Sequence, residues 1–251
     1  ILRKYMIRNN KYTITDLNGE RLFIKPEVTS KTYQYSPEEA AFYNKLTAFI
    51  RDGFLYADRQ TLTVGRSVSL VLICMQKLAS SSVAAIRNTI FRRLAREESG
   101  MREAEQMWKA YEDYLSCNRS ALNEDEISLM DYQIVAKATE LKLIENEKPA
   151  LQELLSLADK VVEETKIKTI LEDVATNFCG EQVLFFTEYK ATQRLLLECL
   201  MRKYGRDSVT FINGDSSLDN IHFPDDSLGT MAADRHVSAR KFNEGKVRFL
   251  I

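Results

Sequence analysis

Val183-Leu184-Phe185-Phe186-Thr187-Glu188-Tyr189, Phe211-Ile212-Asn213-Gly214-Asp215 and Val247-Arg248-Phe249-Leu250-Ile251 are the segments whose reading decides the fold. The first two are apolar runs that end in polar loop residues, and the third is an apolar run that begins as the sequence closes. Between the first pair the spacing predicts a helix from about Lys190 to Lys203, with Leu195, Leu196, Cys199 and Leu200 on one face and Gly205 placed to terminate it. A second helix, carrying Arg235, Ala239, Arg240, Lys241 and Phe242, precedes the last segment. Short apolar strands alternating with amphipathic helices predict βαβ units on a parallel sheet, an α/β fold. Sheets of this kind carry function on the loops that leave the carboxyl ends of their strands. Here those loops hold Thr187, Asn213 and Gly214.

Composition narrows the function classes. The 251 residues carry 35 Lys and Arg against 36 Asp and Glu, a net charge of -1, so no overall field draws nucleic acid and any such binding needs a local groove. Hydrophobic content of 45% with 28% charged residues is that of a globular chain, long enough for one substantial core or two smaller ones. No apolar run approaches the roughly 20 residues that cross a bilayer, and the N-terminus lacks a signal-peptide pattern. The expectation is a cytoplasmic protein without a membrane partner. Cys74, Cys117, Cys179 and Cys199 lack C-x-x-C spacing and fall in apolar helical contexts, which favours buried free thiols over disulfides or zinc. His222 and His236 stand apart from any acidic or cysteine ligand cluster, so no metal site is expected.

Upstream, Tyr12 to Ile14 and Arg21 to Ile24 flank Asp16-Leu17-Asn18-Gly19 and predict a hairpin. Ser36-Pro37-Glu38-Glu39 has the hydroxyl, first-turn proline and reciprocal glutamate of a capping box, ahead of a stripe of Phe42, Tyr43, Leu46, Phe49 and Ile50. Further helices are predicted from about Arg66 to Leu78 and from Val83 to Arg96; Arg87, Arg92, Arg93 and Arg96 form either a solvated face or a phosphate-facing stripe. Ala104, Met107, Trp108, Tyr111 and Leu115 line a charged helix, and Asn123 with Glu126 caps another. These two form an antiparallel hairpin packed on itself or an arm that docks a protein partner or touches DNA. A last apolar helix starts near Leu151 and continues through Val162, Ile167 and Val174. Ser216 to Ala233, with Pro224, Asp225, Asp226 and Gly229, predicts an inserted surface loop.

Taken in order, these strings resemble the second RecA-like lobe of Swi/Snf-type ATPases of helicase superfamily two, in particular their RapA-like branch. Val183 to Thr192 is similar to the family's "V-hydrophobic-IFT-E-Y-x-x-T" segment, and Ile212-Asn213-Gly214-Asp215 to the "hydrophobic-x-G" that follows. Arg235, Ala239, Phe242, Asn243 and Gly245 resemble "R-x-x-x-x-x-x-F-N-x-G", and Val247 to Ile251 the strand that leads into the next motif. Leu2-Arg3-Lys4-Tyr5-Met6-Ile7-Arg8 is similar to the exit from the family's first lobe, and Leu78-Ala79-Ser80-Ser81-Ser82 with Arg92-Arg93-Leu94 to a RapA-branch "L-A-S-S" segment and its "R-L" helix end. Gly100 to Glu147 has no match. The family usually passes from the glycine to the arginine in a few residues, whereas Ser216 to Ala233 intervenes here.

The resemblance implies an exit from lobe one with a connecting hairpin over residues 1–35, a helical bracket over 36–98, a helical insertion over 99–147 and a truncated RecA-like second lobe over 148–251. It implies a parent protein that hydrolyses ATP with magnesium and moves along double-stranded DNA, lobe two contributing backbone contacts from Thr187, Lys190, Asn213 and Gly214, with Arg235 on the motif helix. Each residue has a plainer role as well. The Thr187 hydroxyl can satisfy its own loop, Gly214 can serve turn geometry through a positive φ, Lys190 can be solvated and Arg235 ion-paired. The alternatives at the level of the chain are a non-catalytic interaction module with a degenerate RecA-like half, and an RNA helicase. No G-x-x-x-x-G-K-[ST] loop occurs in the sequence, and its one Asp-Glu dipeptide, Asp125-Glu126, lies in the charged helical stretch without such a loop, so no catalytic residue or cofactor is assigned to the chain itself. The gene is expected to carry these upstream of Ile1 and to continue after Ile251. The purified chain is therefore expected to show no magnesium-dependent ATP turnover; a phosphate-release assay giving clear activity would contradict this.

Overall fold

The computed structural model describes residues 14–22, 27–95 and 141–251. The expected paired helices between Ala104 and Ile134, with Cys117, lie outside them. Two compact units divide at Tyr33 and Gln34. In the first, Thr15 and Arg21 pair antiparallel across a turn in which the Asp16 carboxylate accepts the Asn18 and Glu20 N–H groups at 2.9 and 2.8 Å.

The second unit holds two cores. Helices α1 (Pro37–Ala57), α2 (Leu62–Ser81), α3 (Val83–Ala95) and α4 (Glu147–Asp159) bury Phe42, Leu46, Leu72, Met75, Ile86 and Leu154 together. The capping box at Ser36 forms as its sequence predicts, Glu39 N–H to Ser36 Oγ at 3.2 Å and Ser36 N–H to Glu39 Oε2 at 2.9 Å. Gly65 lets α2 begin against the end of α1, because a Cβ there would stand 2.6 Å from the Ala57 carbonyl oxygen. Helix α2 has 20 residues of mean hydropathy 1.3, long and apolar enough by composition to cross a membrane, which the sequence expectation missed. Half of it is buried and Val68, Val71, Leu72, Met75 and Leu78 are core residues, as in the central helix of a globular unit. Arg93 is also part of this core rather than of a solvated face. It is 5% exposed, pairs with Glu147 at 2.5 Å and donates to the Leu141 carbonyl at 2.6 Å, because α3 turns that side toward α4.

The second core follows α5 (Thr165–Thr176). Strands β1 (Val183–Leu184), β2 (Val209–Thr210) and β5 (Phe249–Leu250) form a parallel sheet in the order β1-β5-β2, with Phe249 opposite both Val183 and Val209. The expected mixed α/β fold with a small parallel sheet is present. Phe211, Phe249 and Ile251 pack with Leu196, Leu197 and Leu200 of α6 (Lys190–Tyr204), which stops at Gly205 with φ 93°. Between β2 and α7 (Arg235–Asn243) lies an antiparallel hairpin of β3 (Ser217–His222) and β4 (Leu228–Ala232). This corrects the expected surface loop: Leu218, Ile221 and Phe223 are buried in the second core, and a bulge between Leu218 and Ile221 hides their alternation in the sequence. The expected continuous helix from Leu151 to Val174 is likewise two helices. It breaks because Val162 is solvent-exposed and Glu164 turns inward to another helix. Cys179 is exposed after the end of α5, contrary to the expected buried thiol, while Cys74 is buried.

A polar junction joins the two cores. The Glu39 carboxylate, besides its own cap, accepts the Thr165 N–H at 2.9 Å and the Thr165 hydroxyl, so it also caps α5. Glu164 accepts the Val83 and Ala84 N–H groups at 3.0 and 2.9 Å and caps α3. Lys166 donates to the Ser80 and Ser81 carbonyls, and the Thr192 hydroxyl meets those of Ser81 and Ser82 at 2.7 and 2.8 Å. Glu39→Ala is expected to cost about 2 kcal/mol or more by orphaning N–H groups on two helices; an unchanged urea midpoint would contradict this. Burial pushes the Glu164 carboxyl above its ordinary range, outweighing the two N–H groups that pull it down, with the Glu39 charge adding to the rise. A folded value above the unfolded one gives stability at acid pH that is lost as pH rises through the raised value. The stability of the wild type relative to Glu164→Gln should accordingly be greatest at acid pH, below the ordinary carboxylate range, and fall as pH rises through the raised value in paired denaturation curves.

Candidate functional site

Parallel pairing brings the carboxyl ends of β1, β5 and β2 to one edge. There the loop after β1 (185–189), the first turn of α6 and the loop after β2 (211–216) meet. Lys190 opens α6 because Tyr189, in extended conformation, is its N-cap. The Lys190 ammonium donates to the Asp215 carboxylate, which ties the two loops together. Asn213 is 5% exposed; its Nδ2 donates to Gln193 Oε1 and to the Ser217 carbonyl, each at 3.1 Å, while its buried Oδ1 receives no donor. Thr187 is half-buried, between Phe186, which is 88% exposed, and Glu188, which faces Lys77 of α2 at 3.9 Å.

Gly214 is an exposed turn residue, yet the left-handed backbone expected of it falls two residues on, at Ser216 with φ 55°. Arg235 is exposed at the first position of α7, where Asp234 caps the helix by accepting the Val237 N–H at 2.9 Å. The Ala233 N–H donates to the Ser216 carbonyl at 2.9 Å, so Arg235 begins beside the loop after β2. All five residues singled out in the sequence thus stand on or next to one edge. Its charges are mixed: Lys190 and Arg235 share it with Glu188, Asp215 and Asp234. His222 and His236 are both exposed, and among the described residues no group of three His, Cys, Asp or Glu side chains is placed to hold a metal ion.

Three residues of this edge escape a reading of motifs. Tyr189, 1% exposed, belongs to the helical core, so the loop after β1 is anchored outside the sheet. Asp215 neutralises Lys190 from the neighbouring loop, a pairing with no sequence signal. Gln193 is detectable, because it is a polar residue on the stripe of Leu196, Leu197 and Leu200. Comparison with family models, with curated proteins and with solved structures finds no match to this chain.

The Asn213 amide donates to two oxygens, and that decides which substitutions it tolerates. Asn213→Ala should cost about 1 kcal/mol, whereas Asn213→Asp places a carboxylate against the same two acceptors and should cost about 2 kcal/mol or more at neutral pH. The difference should narrow at acid pH, where a protonated carboxyl regains a donor and the raised folded pKa restores stability. Urea midpoints at the two pH values check this, and an equal penalty at both would count against the assigned amide orientation.

Proposed function

We propose that this chain is part of a DNA-dependent ATPase of the Swi/Snf type, its sheet edge contributing contacts to the DNA backbone while ATP and magnesium are bound elsewhere in the parent protein in the cytoplasm. The observation that carries this reading is a coincidence of order. The segments that resemble successive family motifs are the carboxyl-edge loops of successive parallel strands, and their polar residues stand together at that edge.

The chemistry suits phosphate rather than base edges. Hydroxyls, backbone N–H groups and lysines position a nucleic-acid backbone without reading sequence. Thr187 offers a hydroxyl in the loop after β1, Lys190 a point charge at a helix start, and Gly214 an exposed backbone that a phosphate can approach, while Asn213, buried and bonded to Gln193 and Ser217, holds that turn from behind. Arg235 adds a charge at the margin. Asp215 opposes them, since a phosphate must compete with its carboxylate for Lys190. Binding is therefore weak and salt-dependent.

Affinity for a short DNA duplex, followed by anisotropy across a salt series, tests this. Thr187→Ala should weaken binding several-fold, and Arg51→Ala on α1 should not. Asp215→Asn should tighten it and steepen the salt dependence by about 0.9 in the logarithmic slope, the signature of one added phosphate contact. Tight, salt-insensitive binding, or no effect of Thr187→Ala and Asp215→Asn, would sink the DNA reading and favour an interaction module; preference for duplex RNA would favour an RNA helicase.

A further inference from the structure

We infer that Gln193 is the positioning residue of this edge, holding the loop after β2 and the end of β5 in place relative to the start of α6. Its role toward DNA rests on the function proposed above. Gln193 is the fourth residue of α6 and 5% exposed, so its polar atoms must be satisfied within the protein. Its Nε2 donates to the Ile212 carbonyl at 3.0 Å and to the Ile251 carbonyl at 3.1 Å, and its Oε1 accepts from Asn213 Nδ2 at 3.1 Å. One amide thus binds the ends of two neighbouring strands and the side chain at the head of the loop. The same Ile251 carbonyl accepts the Ile212 N–H at 2.9 Å, so both its lone pairs are used and the amide closes the ladder at the carboxyl edge.

Only a primary amide meets this pattern. Two donors must face two carbonyls while an acceptor faces the Asn213 amide, which a carboxylate, an apolar side chain or a lysine cannot do. Lys190 lies one helical turn upstream on α6, and the Asn213-Gly214-Asp215 turn is held by the other end of the same bonds. Gln193 therefore sets the distance between the two groups that a single backbone phosphate would have to touch together. It makes no such contact itself, being buried behind them.

A purely structural role would lower stability without singling out the edge, so the test compares variants of matched stability. Gln193→Met removes the amide with little change in volume, and Leu200→Val removes core packing on the same helix. Hydrogen exchange by NMR should show the Ile212 amide and its loop losing protection by tenfold or more in Gln193→Met, beyond their loss in Leu200→Val. Duplex DNA affinity should drop by tenfold or more, with a shallower salt slope, in Gln193→Met alone. Gln193→Glu should resemble it at neutral pH and recover in part on acidification, when the protonated carboxyl again donates one bond. Equal loosening of the edge in Gln193→Met and Leu200→Val overturns the inference, as does unchanged DNA binding by a loosened Gln193→Met. If the wild type binds no DNA, the proposed function fails, and the exchange data alone decide whether Gln193 sets the edge.

Discussion

Two buried carboxylates hold the starts of three helices, and the rest of the second unit is arranged around them. Glu39 satisfies the N–H groups of Ser36 and Thr165, and Glu164 those of Val83 and Ala84, so each acid caps a helix to which it does not belong. Burying a carboxylate is costly unless it is hydrogen-bonded, and a helix N-terminus offsets part of that cost with orphan donors and a favourable dipole, although at Glu164 burial still prevails. The arrangement makes the two cores interdependent. Separating α5 from α1, or the α4–α5 connection from α3, would leave a charge and several N–H groups unpaired at once.

This junction also reaches the candidate edge. Tyr189 lies in the helical core and Thr192 bonds to the serines between α2 and α3, so the first turn of α6 is fixed from the helical side. Gln193 fixes the same turn from the sheet side. Lys190 stands among these anchors, with only its ammonium end free to choose a partner among anions. In this geometry the first turn of α6 is anchored from both sides, and the Lys190 ammonium reaches across to the Asp215 carboxylate of the neighbouring loop.

Much of this was legible in the residues. The capping box at Ser36, the stop at Gly205 and the three apolar strands depend on local chemistry, and local chemistry is what a sequence displays. The carboxyl-edge placement of Thr187, Asn213 and Gly214 follows from parallel pairing alone. What stayed hidden depends on contacts between distant segments. Nothing near Arg93 announces Glu147, and nothing near Glu164 announces the start of α3, so an arginine read as solvated and a helix read as continuous were both redirected by partners far along the chain. Asp215 pairs across 25 positions with Lys190, and no spacing rule covers that distance.

The segment from Ser216 to Ala233 shows how a long detour leaves a site intact. Three non-glycine residues, Ser216 and Asp226 at its turns and Asn220 at the bulge of β3, adopt left-handed backbone, each at a cost of roughly 1–2 kcal/mol. Burial of Leu218, Ile221 and Phe223 offsets that strain, and the Arg206 guanidinium stacks over the Phe223 ring at 4.3 Å. Because β3 and β4 pair with each other, the hairpin ends where it began, with Ala233 bonded to Ser216. The chain therefore re-enters α7 beside the loop after β2 as though the hairpin were absent. Ser216 and Ala233, 17 residues apart in sequence, are bonded to each other, so the excursion closes on itself and leaves the order of strand, loop and helix unchanged.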